Sequence, residues 1–139
     1  PMLVSSVSAK PVIRLPPERE ALPALALTTD TSALTALGND YAFEVVFARQ
    51  VEALGRPGDV LVAITTSGRS QNLVRAIEAA RARQITTVAV TGFDGGVVGT
   101  MADLHLNVPS NSTPRVQEVQ RTLLHIVCDL VERAVVSKD

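Results

Sequence analysis

The stretch Gly58-Asp59-Val60-Leu61-Val62-Ala63-Ile64-Thr65-Thr66-Ser67-Gly68-Arg69-Ser70-Gln71-Asn72 decides the fold. Val60 to Ile64 is a short apolar run suited to a strand buried on both faces of a parallel sheet. From Gln71 onward the apolar residues Leu73, Val74, Ile77 and Ala80 follow helical spacing. Between strand and helix lies Thr65 to Ser70, a hydroxyl-rich loop with one glycine. Placed at a helix N-terminus, such a loop offers unpaired backbone N–H groups, hydroxyl donors and the positive end of the helix dipole, a combination that suits a phosphate. It is neither a P-loop, since no Gly-Lys-Ser/Thr is present, nor a dinucleotide fingerprint, since Gly-x-Gly-x-x-Gly is absent. Serine and threonine are also favoured as plain helix caps, so the loop taken alone admits that simpler reading.

Upstream, Ala24 to Thr28 reads as a buried strand, and Asp30 or Thr31 as the cap of a short helix that ends at Leu37, broken by Gly38-Asn39-Asp40. Tyr41 to Leu54 reads as one helix with Phe43, Val46, Phe47, Val51 and Leu54 on a single stripe and Gly55 closing it at C′. Residues 1–20 carry Pro11, Pro16 and Pro17 and read as an extended arm, with the folded domain over 21–139.

Downstream, the helix from Gln71 runs to about Arg83, and Ile85 to Val90 is the next strand. Thr91 to Gly96 is a glycine-rich loop with two residues free to take positive φ. Asp103 to Val108 alternates and reads as an edge strand, with Leu104, Leu106 and Val108 on one face and His105 and Asn107 on the other. Thr113 as N-cap and Pro114 at the first helical position open a last helix to about Val136. Its apolar arc, from Val116 and Val119 through Leu123, Leu124, Ile126, Val127, Leu130 and Val131, is wider than one sheet face needs, which points to packing against another subunit. Strands alternating with helices give an α/β fold, a parallel-sheet three-layer sandwich with right-handed crossovers.

Composition narrows the class of partner. A chain of 139 residues with 46% hydrophobic and 19% charged residues is one globular domain, and 3% aromatic content leaves Val, Leu, Ile and Ala to build the core. A net charge of −1 without Lys/Arg runs argues against nucleic acid or an anionic membrane as main partner. The single cysteine, Cys128, forms no internal disulfide and reads as a small buried hydrophobe. No apolar run approaches the ~18 residues that span a bilayer, and no secretory signal is visible, so the expected location is cytoplasmic.

Four ordered motifs together resemble the phosphoheptose isomerases of the sugar isomerase (SIS) domain family: Leu27 to Asp40, Gly58 to Ser70, Thr91 to Gly96, and Arg115-Val-Gln-Glu-Val-x-x-x-Leu-Leu-His125. The match covers about residues 22–136. It implies a flavodoxin-like sheet, a homotetramer, a phosphorylated-sugar substrate and conversion of sedoheptulose 7-phosphate to D-glycero-D-manno-heptose 7-phosphate. By position, Thr65, Thr66, Ser67 and Ser70 match the phosphate-binding loop, and Asp40 matches a carboxylate that holds sugar hydroxyls. Gln117 and His125 match the family's glutamine and catalytic histidine, which in some members also ligate zinc; no organic cofactor is implied. Isomerisation through an enediol needs one group for the carbon-bound proton and another to move protons between oxygens, and His125 suits the second task. Asp129, four residues on, is placed to orient its ring.

The sequence also departs from the family. The first strand, a Gly-Asn-Gly-Gly-Ser-like loop and the helix bearing a catalytic glutamate do not precede Leu22, so the resemblance implies a domain lacking its N-terminal part and leaves the general base unassigned. Arg69 stands where a small polar residue is common and is expected to strengthen phosphate binding. Gln120 stands where histidine is frequent. Eight residues separate Gln117 from His125 by about 12 Å along a helix axis, which suggests a site shared between subunits. Outside the motifs, His105 reads as a solvent-facing strand residue and Asp94 as a turn former. The alternative function is a non-catalytic SIS protein that binds a sugar phosphate or the bacterial replication initiator. Such a protein would need no acid–base residue like His125.

Overall fold

The computed structural model describes residues 2–4 and 22–136. Its five strands are β1 (Met2–Val4), β2 (Ala24–Ala26), β3 (Val60–Ile64), β4 (Thr86–Gly92) and β5 (Leu104–Val108). Every pairing is parallel, as the strand and helix alternation implies, and the order β2-β1-β3-β4-β5 is the flavodoxin-like one implied by the family resemblance. Met2–Val4, expected within an extended arm, lies inside the sheet between β2 and β3, and the rest of that arm falls outside the described residues. The expectation rested on Pro11, Pro16 and Pro17, and these three follow the residues that pair.

The helices among the described residues are α1 (Thr31–Asp40), α2 (Val46–Leu54), α3 (Gln71–Ala82), α4 (Gly96–Met101) and α5 (Thr113–Val136). One sheet face, with Leu61, Ala63 and Ala89, packs against Ala48 and Val51 of α2, Leu73, Ala76, Ile77 and Ala80 of α3 and Val98 of α4. Alanine faces alanine across this layer, which lets α3 lie close on the strands. The other face presents Val60, Val62, Ile64, Val88 and Val90 to Leu124 of α5. Helices on both faces make the three-layer sandwich, and they explain why β3 is apolar without alternation.

Several boundaries differ from those read in the sequence. α1 is capped by Asp30, whose Oδ1 accepts from the Ala33 N–H at 2.9 Å, but it continues through Gly38 to Asp40, closing with Tyr41 N–H on the Leu37 carbonyl at 3.1 Å. One glycine in a last turn costs about 1 kcal/mol, too little to stop the helix. The expected helix from Tyr41 is instead a 3₁₀ turn at Phe43–Val45 followed by α2, so Phe43 is exposed rather than on the buried stripe, and Leu54 at the end of α2 is exposed as well. Gly55 caps α2 in extended conformation, not the left-handed one expected at C′. Residues 91–96 are shorter as a loop than expected, because β4 runs to Gly92 and α4 starts at Gly96; both Gly95 and Gly96 do have positive φ, at 86° and 55°. α5 begins at Thr113 itself, with the Ser112 carbonyl accepting from Val116 N–H at 2.9 Å, so the cap lies one residue earlier than expected.

β5 is an edge strand as expected, pinned at its start by Asp103. The Asp103 carboxylate accepts from the Thr87 N–H and hydroxyl, both at 2.7 Å, and these bonds hold its pKa below the usual carboxylate value. On α5 the buried stripe is narrow, consisting of Val116, Gln120 and Cys128 with Leu124 partly covered. Val119, Ile126, Val127, Leu130 and Val131 are exposed.

Candidate functional site

In this strand order the chain leaves β1 toward one side of the sheet and β3 toward the other. Ligands in such sheets bind outside the carboxyl ends of the strands at this reversal. The loop Thr65–Ser70 sits there, at the end of β3. Thr65 is buried, its N–H donating to the Val90 carbonyl at 3.0 Å, while its Oγ1 accepts from Gly68 N–H at 3.2 Å and lies 3.4 Å from Ser70 Oγ. Ser67 Oγ accepts from Arg69 N–H at 3.2 Å. Ser70 is the N-cap residue of α3, yet its side chain makes no capping hydrogen bond. Capping therefore does not account for this hydroxyl, and no cap side chain occupies the N-terminus of this twelve-residue helix.

The loop is moulded by its neighbour at the end of β4. Gly68 takes φ +67°, and a Cβ there would lie 2.0 Å from the Gly95 carbonyl oxygen; its own carbonyl accepts from Val98 N–H at 2.9 Å. Arg69 grips Asp94 with two hydrogen bonds, at 3.1 and 2.6 Å. Asp94, read as a turn former, thus holds the guanidinium expected to bind phosphate, and the bonds to Arg69 lower its pKa. A second support comes from β5. Thr91 Oγ1 donates to Asn107 Oδ1 at 2.8 Å, so its 2.6 Å contact with His105 Nε2 has the histidine as donor. The ring lies against Gly95 and Gly99, where an added Cβ would come within 2.6 and 2.4 Å of His105 Cε1. His105 thus remains exposed, as read from the sequence, and its ring at the same time partners the glycine turn and the start of α4.

α5 forms the other wall. Gln120, buried, donates from Nε2 to the Thr65 carbonyl at 3.0 Å and to the Val90 carbonyl at 3.2 Å, fastening the helix to the ends of β3 and β4. Gly92 makes the approach possible, since a Cβ there would meet Val116 Cγ1 at 2.5 Å. Asp129 is paired with Arg133 at 3.0 Å, one turn further along α5, instead of with His125 as expected.

Loop and helix together enclose an open cleft of about 890 Å³ lined by Ile64, Thr65, Thr66, Ser70, Gln117, Gln120, Arg121, Leu124 and His125. Of the sequence-derived site residues, Thr65, Thr66, Ser70, Gln117 and His125 are brought together in a single chain despite the eight-residue spacing on α5. Ser67 and Asp40 are not in this lining; Asp40 ends α1, exposed, its Oδ1 accepting from Asn39 Nδ2 at 2.8 Å. Arg121 escapes a reading of the sequence motifs, although the i, i+4, i+8 spacing of Gln117, Arg121 and His125 marks one helical stripe. Gln117 and His125 supply one amide and one imidazole, short of the three or four ligands a zinc ion takes from protein. Among the described residues no group of three or more His, Cys, Asp or Glu could hold a metal.

The sequence pattern of the SIS domain family matches residues 2–92. The chain is 57% identical over 125 residues to the phosphoheptose isomerase of Geobacter sp. (strain M21), covering 90% of this chain and 65% of that protein. It is 49% identical over 135 residues to that of Shewanella sediminis, covering 95% and 68%. It thus spans about two thirds of the length of the curated relatives it matches. Among solved structures it is similar to a phosphoheptose isomerase from Francisella tularensis, with a TM-score of 0.90, 38% identity and coverage of 95% of this chain and 76% of that one. It is also similar to the Neisseria gonorrhoeae phosphoheptose isomerase, with a TM-score of 0.78, 54% identity and coverage of 79% and 62%. The chain belongs to the SIS domain family, in the branch of the phosphoheptose isomerases.

Proposed function

We propose that this chain is a sugar-phosphate isomerase that converts sedoheptulose 7-phosphate to D-glycero-D-manno-heptose 7-phosphate, in the cytoplasm, as a step toward lipopolysaccharide or nucleotide-heptose precursors. The observation that carries this reading is the gathering of Thr65, Thr66, Ser70, Gln117 and His125 on one cleft. In this account the phosphate sits at the Thr65–Ser70 loop, on the uncapped amides of α3, where hydroxyls and the helix dipole favour a dianion. The sugar chain then extends along α5, with Gln117 as hydrogen-bonding partner and His125 one turn beyond Arg121. An imidazole carries one nitrogen that donates and one that accepts, so His125 moves protons between the two oxygens of the enediol. Ser67 and Asp40 are proposed to join the ligand from outside the lining. Nothing in the comparisons favours the replication-initiator-binding alternative.

The described residues of the lining include no carboxylate, and the base that takes the carbon-bound proton is proposed to come from a neighbouring subunit of a homotetramer. Support comes from α5, whose Val119, Ile126 and Leu130 are 43%, 49% and 58% exposed in the single chain, a surface suited to a symmetric helix contact. The donor set on one chain does not complete a zinc shell, and no step is routed through a metal. No helix among the described residues is long and apolar enough to cross a membrane. The test is conversion of sedoheptulose 7-phosphate by the chain and by His125→Ala. The account expects a loss of about a hundred- to ten-thousand-fold, the range for removing a general acid–base group. Equal rates would remove His125 from the chemistry.

A further inference from the structure

We infer that Arg121 is the cation that recognises the phosphate of the ligand in the cleft. This inference rests on the reading of the cleft as a sugar-phosphate site and adds a residue that the loop motifs do not contain. Among the described lining residues Arg121 is the only one with a permanent charge, and no carboxylate among them shares the wall with it. Its helical neighbours leave it available. Glu118, three residues back, is bonded to Arg115 at 2.7 Å, and the residues at i−4, i+3 and i+4 are Gln117, Leu124 and His125. Among the described residues Arg121 has no ion-pair partner, in contrast to Arg69, which Asp94 holds with two bonds. Its height along α5 also fits. The adjacent Gln120 is hydrogen-bonded to the Thr65 carbonyl, so α5 passes the loop at this turn and His125 lies one turn further along. The cation therefore stands level with the loop, one helical turn from Gln117 on one side and from His125 on the other. A guanidinium there offers planar, two-pronged donation to phosphate oxygens that hydroxyls and amides alone do not supply.

The experiment is calorimetric titration of the full chain, Arg121→Gln, Arg121→Lys and a Ser67→Ala/Ser70→Ala double variant, each with sedoheptulose 7-phosphate, inorganic phosphate and unphosphorylated sedoheptulose, at low and high salt. Arg121→Gln is expected to weaken both phosphorylated probes on the order of ten- to a hundredfold, the range of a charge-assisted hydrogen bond. The salt dependence should flatten, and affinity for unphosphorylated sedoheptulose should stay as in the parent. Arg121→Lys should recover part of the loss, because it keeps the charge without the fork. Phosphate affinity of Arg121→Gln within twofold of the parent, while the double serine variant loses it, would overturn this inference and leave the reading of the loop intact. Absence of phosphate binding by the parent chain would overturn both.

Discussion

Replacing Gly68 by alanine tests whether the two glycine turns hold each other. The new Cβ would lie 2.0 Å from the Gly95 carbonyl oxygen, 2.4 Å from its carbon and 2.9 Å from Gly96 N, all backbone atoms that no rotamer change can clear. At φ +67° an alanine also carries the left-handed penalty, about 1–2 kcal/mol. Forcing the two loops apart adds about 1–3 kcal/mol. The total, about 2–5 kcal/mol, is a large fraction of a typical domain's stability. Gly58 is the internal control. It has φ +88°, but nothing lies within 4 Å of a Cβ built there, so Gly58→Ala should show the backbone penalty alone. Urea unfolding of parent, Gly58→Ala and Gly68→Ala separates the two contributions, because the difference between the variants is the loop-on-loop clash. The same displacement should weaken phosphate binding in Gly68→Ala only. Equal stability of the two variants would refute the packing argument.

Three further outcomes rest on the same geometry. Gln120→Leu removes the donor shared by the buried Thr65 and Val90 carbonyls and should cost about 1–3 kcal/mol in urea unfolding, together with weaker phosphate binding. Gly38→Ala, in a helix where nothing crowds the added Cβ, should stabilise by about 0.5–1 kcal/mol, read as a higher denaturation midpoint. Asp103 has a folded pKa below its ordinary 3.8, held there by the Thr87 bonds, so its contribution to stability is present above that value and is lost as pH falls through the lower folded pKa. The parent's stability advantage over Asp103→Leu should hold from neutrality to about pH 5 and shrink below pH ~3.8, measured as unfolding midpoints across that range.

The elements legible in the sequence are those whose spacing has a single meaning. β3 and α3 are plain because an apolar pentad meets a helical stripe, and β5 because Leu104–Val108 alternates, although of its apolar residues only Val108 is buried. α4 is hidden by its composition. Six residues containing Gly96, Val97, Val98 and Gly99 are too short for a periodic signal and resemble a loop. The 3₁₀ turn at Phe43–Val45 shifts the phase of α2 relative to the residues before it, which is why Phe43 falls off the stripe that a continuous helix would give it. At the site, local spacing locates the phosphate loop and the Gln117–His125 stripe. Contacts distant in sequence escape it. Arg69 and Asp94 are 25 residues apart, Gln120 and Thr65 are 55 apart, and no pattern within either segment announces its partner. Such pairings arise from the sheet register, which sets the ends of β3 and β4 side by side.

The central claim is that the cleft between the Thr65–Ser70 loop and α5 receives a phosphorylated sugar, and titration of the isotope-labelled chain with sedoheptulose 7-phosphate by NMR tests it most directly. The account predicts the largest shifts at the backbone amides of Ser67 to Asn72 and at the side chains of Gln117, Arg121 and His125. Shifts confined to the groove between α1 and α2, at Asp30, Leu37 and Arg49, or no shifts at all, would contradict it.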